Sequence, residues 1–135
     1  CKMKRILLIS VMMLSGCTLV DAYFMAKYDT NEYALINEVS SKSYLAQEEC
    51  KDYNKTKLNV KQIYDSSLSF SKFTMYIPRN EDATKMSEKL LALSKGAKEY
   101  YDTHDKVSEL FCKSKLQQIN KSAEEIQSVI ARKPR

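Results

Sequence analysis

Hydrophobic positions recur along this chain at three- and four-residue steps, the spacing of one face of an α-helix, over four long stretches. The first stripe is Leu35, Ile36, Val39, Ser43, Ala46 and Cys50, and Asp29 followed three residues later by Glu32 predicts a capping box at its start. After a polar connection at 51–56, a second helix is predicted from Lys57 to Tyr76, carrying Val60, Ile63, Tyr64, Leu68, Phe70, Phe73, Met75 and Ile77 with Ser66, Ser67, Ser69 and Ser71 between them. Alternation within Leu68–Ile77 also permits a short strand there. Pro78 ends the element because it has no amide hydrogen to donate. Asn80 reads as the cap of a third helix, with Glu81 and Asp82 in its positive first turn and a stripe of Ala83, Met86, Leu90, Leu93, Ala97 and Tyr100. Gly96 interrupts that helix and marks either a close helix crossing or a frayed end. A turn at Asp102–Asp105 leads to the fourth stripe, Cys112, Leu116, Ile119, Ala123, Ile126 and Ile130. Two Gly and two Pro in 135 residues leave little to punctuate hairpins, so the expected fold is all-α: a small up-and-down bundle of about four helices.

A different pattern precedes these stripes. Lys4 and Arg5 form a positive end, Ile6 to Leu14 is an apolar run broken only by Ser10, and Leu14-Ser15-Gly16-Cys17 closes it with small residues and a cysteine. Nine residues rise only about 14 Å as a helix, less than half of a ~30 Å hydrocarbon core, so the run is too short to anchor by spanning. The tetrad resembles the lipobox of bacterial lipoproteins. That resemblance implies cleavage before Cys17, covalent lipid on Cys17 as the only added group, and no further cofactor. Thr18 after the cysteine, by the same resemblance, implies the outer membrane of a Gram-negative cell. Met3 is the expected start, with Cys1 and Lys2 upstream of it. The chain then divides into a signal at 1–16, a lipidated spacer at 17–28, a helical domain at 29–131 and a basic tail at 132–135.

Charge changes meaning once the signal is set aside. The whole chain is +5, but three of its 22 basic residues lie in the signal, leaving 19 against 17 acidic residues in the mature part. With the lysines scattered at helix-surface spacing and no aromatic-interleaved basic stripe, a nucleic-acid partner is not expected. The one basic cluster, Arg132-Lys133-Pro134-Arg135, reads as a solvated end beyond the last helix or as a contact for anionic lipid headgroups or an acidic partner. With Cys17 lipidated and Cys1 upstream of the start, two cysteines remain for an oxidising compartment, Cys50 and Cys112, and both fall on apolar stripes. They are expected to pair, closing a loop of about 60 residues that stabilises the domain by roughly 4 kcal/mol.

Catalytic patterns are missing from the sequence. There is no nucleophile elbow, phosphate-cradling glycine loop or zinc helix motif. His104 between Asp102 and Asp105 reads as a capping loop rather than a metal site, and no enzyme is expected. Nine tyrosines with no tryptophan offer amphipathic contact area, and the pair Tyr100-Tyr101 points to two sides of a helix, one to the core and one available to a partner. Ala26–Tyr33, Pro78–Asp82 and Lys133–Arg135 are similar to stretches of small lipoproteins encoded by phages and bacteria. The helix order with Cys50 and Cys112 resembles the helical pilotins of secretion systems, which implies a groove for a partner's helix. Two functions follow as expectations. One is a lipid-anchored, non-catalytic binding or accessory factor on the periplasmic face of the outer membrane, acting on an envelope protein as a pilot, an inhibitor or a phage exclusion factor. The other is a structural or lysis-associated envelope lipoprotein.

Overall fold

The computed structural model describes residues 26–135. Leu14, Ser15, Gly16 and Cys17, on which the expected signal rests, and the expected spacer up to residue 25 lie outside the described residues. Four helices follow one another: α1 (Thr30–Ala46), α2 (Tyr53–Met75), α3 (Glu81–Thr103) and α4 (Glu109–Ala131), with one turn of 3-10 helix at Gln47–Glu49 after α1. Each helix packs on its sequence neighbours and α1 packs on α4, so the four form a closed ring of antiparallel neighbours. No strand occurs among the described residues, and Leu68–Met75 is helical throughout.

The buried faces follow the apolar stripes closely in α1 and α4 and less closely in α2 and α3. All six stripe residues of α4 are buried, as are Ile36, Val39, Ser43, Ala46 and Cys50 on the first stripe. In α2 the inward line is Thr56, Val60, Ile63, Ser67, Phe70 and Thr74, so hydroxyls share the interior with three large apolar groups while Met75 is left exposed. In α3 it is Ala83, Ser87, Leu90, Ser94, Ala97 and Tyr101, and Met86, Leu93 and Tyr100 sit at its margin, only partly buried. Serine is tolerated inside a helix pair because its short hydroxyl can bond its own preceding turn. Ser94 donates to Leu90 O and Leu91 O at 3.1 Å, and Ser87 donates to Thr84 O at 2.6 Å and meets Ser71 across the α2–α3 contact at 3.2 Å. Ser67 Oγ is buried with no partner among the described residues.

The caps differ from the expected ones in two places. Asp29 does cap α1, accepting from the amides of Asn31 and Glu32 at 2.8 and 3.0 Å. Glu32 does not reach back to complete a box, because its side chain is fully buried. Asn80 precedes α3 without capping it through its side chain, because its amide group is turned inward. Gly96 lies in mid-helix, and a Cβ there would meet nothing within 4 Å, so it marks neither a close crossing nor a frayed end.

The disulfide between Cys50 and Cys112 joins the end of the 3-10 turn to the first turn of α4, with Cα atoms 5.7 Å apart. Near it, Tyr53 donates its phenol hydrogen to Tyr101 O at 2.9 Å and to His104 O, meeting carbonyls at the end of α3. We call this end of the bundle the disulfide pole.

Candidate functional site

The opposite pole gathers the start of α1, the α2–α3 connection and the chain beyond α4. Its centre is Glu32, which is in phase with the first stripe, four residues before Ile36. One carboxylate oxygen accepts from Lys133 Nζ at 2.6 Å; the other accepts from Asn80 Nδ2 at 2.7 Å and from the Thr74 hydroxyl. Lys133 also donates to Asn80 Oδ1 at 2.5 Å, and Asn80 donates to Thr74 O at 3.0 Å. All four residues are buried. The cluster therefore joins α1, α2, the α2–α3 connection and the C-terminal segment through a carboxylate with a donor on each oxygen.

This arrangement corrects the reading of residues 132–135 as a solvated tail. Lys133 is 5% exposed, and Tyr28 N donates to Pro134 O at 2.9 Å. The Arg135 guanidinium lies 4.5 Å from the Tyr28 ring centroid, a cation–π contact. The segment before α1 is held from the other side, where the buried Ala26 donates its amide to Arg79 O at 3.2 Å. Arg79 has φ 60°, a left-handed conformation that costs a side-chain-bearing residue roughly 1–2 kcal/mol. An open cavity of about 580 Å³ lies along this connection, lined by Met75, Tyr76, Ile77, Arg79 and Lys85 among others.

At the disulfide pole, the two tyrosines separate as their neighbouring positions require. Tyr101 is 2% exposed and packs on Tyr53 with ring centroids 5.7 Å apart. Burial, together with the phenols of Tyr53 and Tyr100, pushes its pKa up to about 12. Tyr100 is half-buried and stacks on His104 at 3.8 Å and on Phe111 at 4.2 Å. His104 Nδ1 lies 2.9 Å from Tyr100 O, so the histidine closes the end of α3. Asp102 is paired with Lys98 at 2.7 Å, and this hydrogen bond holds the carboxyl below and the ammonium above their ordinary values. Among the described residues, no three metal-ligating side chains gather.

The most exposed large apolar side chains are ones the stripes passed over: Tyr76 at 81%, at the end of α2, and Leu110 at 80%, in the first turn of α4. A further groove of about 550 Å³ runs between α3 and α4, lined by Leu93, Lys89, Lys121 and Glu125 among others. Among the described residues, no helix is long and apolar enough to cross a membrane. Compared with known protein families, with curated proteins and with solved structures, the chain matches none.

Proposed function

We propose that this chain is a lipoprotein tethered through Cys17 to the outer membrane of a Gram-negative cell, where its helical domain serves as a non-catalytic binding or accessory factor for an envelope protein. The observation that carries this reading is Leu14-Ser15-Gly16-Cys17 closing a charged-then-apolar run too short to span a bilayer. Two acyl chains hold a protein stably where one is marginal, so lipid on Cys17 supplies the attachment that the peptide lacks. The Cys50–Cys112 disulfide supports it, since such bonds persist in exported proteins and are rare where thiols are kept reduced.

Partner recognition is assigned to the disulfide pole. Leu110 stands 80% exposed there, one residue from the Phe111 ring that stacks on Tyr100. The leucine extends the apolar surface of the stacked rings, and the half-buried Tyr100 beneath it is of the residue type favoured as an interface anchor.

The test is affinity capture from envelope membranes, with intact-mass analysis of the captured chain, using the wild type beside Cys17→Ala and Leu110→Asp. A lipid-sized mass on Cys17 and one dominant envelope protein, lost with Leu110→Asp, is the expected result. A lipidated chain that retains no protein would move the function to a structural envelope role, and an unlipidated chain would overturn the anchor.

A further inference from the structure

The pole that carries Glu32 and Lys133 also has an outer surface, and its chemistry differs from that of the rest of the molecule. Met75 and Tyr76 stand out from the end of α2 at 54% and 81% exposure, followed by Ile77 and Pro78. Arg79 and Lys85 line the same cavity as Met75 and Tyr76, and Lys27, Arg132 and Arg135 stand exposed on the segments that begin and end at this pole. The acids at this end are fewer and largely engaged or offset. Asp29 is held by its cap hydrogen bonds, Glu81 and Asp82 lie over the positive first turn of α3, and Glu88 lies a turn further along the same helix.

Three independent features bring these residues to one place. The α2–α3 connection turns sharply at Arg79, which keeps a long cationic side chain at a left-handed position that glycine would fill without strain. The last residues fold back so that Lys133 is buried while Arg132 and Arg135 remain outside. The chain also enters the fold here, since Ala26 is bonded to Arg79 O. Ala26 follows Cys17 by nine positions in the sequence, a reach of at most roughly 30 Å.

We propose that this pole is a membrane-contacting face, with Tyr76 and Met75 at the level of the lipid headgroups and the surrounding Arg and Lys side chains on anionic phospholipid. Tyrosine is favoured at that level, where its ring meets hydrocarbon and its hydroxyl meets water. Basic side chains near an anionic surface each strengthen binding by about fivefold. The inference rests on the lipoprotein reading for the closeness of the membrane. It adds that the domain stands with one pole on the bilayer and directs Leu110 and the disulfide away from it.

The absence of tryptophan makes a clean experiment available. Tyr76→Trp and Leu110→Trp are prepared separately in the full chain, purified from membranes and reconstituted into vesicles of phosphatidylglycerol and phosphatidylethanolamine, with brominated acyl chains as quenchers. Intact mass reports lipid on Cys17 independently of the fluorescence. Emission from position 76 is expected to be blue-shifted and quenched, and emission from position 110 unchanged. Pure phosphatidylcholine vesicles or high salt should weaken the effect at 76. Arg79→Gly, which suits the backbone there, should reduce the contact by about fivefold in the Tyr76→Trp background.

Equal quenching at both positions, or none at 76 in a chain whose Cys17 carries lipid, would overturn the face. An unlipidated chain that still shows salt-sensitive quenching at 76 would keep the face and remove the anchor.

Discussion

Single residues in this bundle show how far a helical stripe can be trusted. Gly96 breaks the third stripe in sequence, yet a methyl group there would meet only open space. Gly96→Ala should therefore raise stability by up to about 1 kcal/mol, read as a higher denaturant midpoint with an unchanged slope. The third stripe runs through Tyr100, but Tyr101 is the member of the pair that enters the core. Its pKa, raised to about 12 by burial, ties stability to alkaline pH with a definite sign. The folded state favours the neutral phenol, so this contribution is complete below the unfolded value near 10 and is lost as pH rises toward 12. Denaturant titrations across that window should show stability falling with pH, and Tyr101→Phe should make the fall shallower. What the sequence concealed at this scale was the hydroxyls. Ser87 and Ser94 are fully buried with their hydroxyls bonded to the preceding turn, and Ser67 is fully buried as well, but serine is read as polar wherever such burial cannot be seen.

At the scale of elements, the four helices and their order were legible because each carries a long apolar stripe and the chain has almost no glycine or proline to interrupt them. The phase of α3 was harder to read. Met86 and Leu93 outrank Ser87 and Ser94 in hydrophobicity, yet the serines face inward, because small groups allow α2 and α3 to approach closely, and the same phase turns Tyr101 rather than Tyr100 to the core. The cluster around Glu32 was missed for a related reason. Glu32 and Thr74 were in phase with their stripes all along, but a carboxylate in a capping position is ordinarily assigned to solvent.

The cluster makes a double-mutant prediction. Lys133→Met leaves a buried carboxylate without its counter-charge and should destabilise the domain by about 3–5 kcal/mol. Glu32→Gln in the same chain should recover much of that loss, and the coupling measured by chemical denaturation should exceed 1 kcal/mol. Exposed pairs such as Lys61–Asp65 should show coupling below about 1 kcal/mol in the same assay.

For the whole molecule, the ring of helices is closed at each pole by a different chemistry. The disulfide encloses a loop with a sequence separation of 62, so reduction, or Cys50→Ala with Cys112→Ala, should lower stability by about 4 kcal/mol. The measurement is a denaturation midpoint with and without reductant, and an unchanged midpoint would mean that the reduced unfolded chain is already as compact as the bridged one. The pairing was legible because both cysteines lay on inward stripes. The docking of 132–135 was not, since four residues with three positive charges carry no periodicity from which burial of the middle one could be read.

The return of the chain to its starting pole has a mechanical consequence. Force applied to the chain ahead of α1 does not peel α1 away alone, because Tyr28 and Glu32 hold the segment that follows α4. If both ends were drawn apart, the chain between Cys50 and Cys112 could not lengthen, and extension would be confined to the portions outside the bridge. The two-helix hairpin of α2 and α3 lies entirely within that bridged loop, shielded from the load.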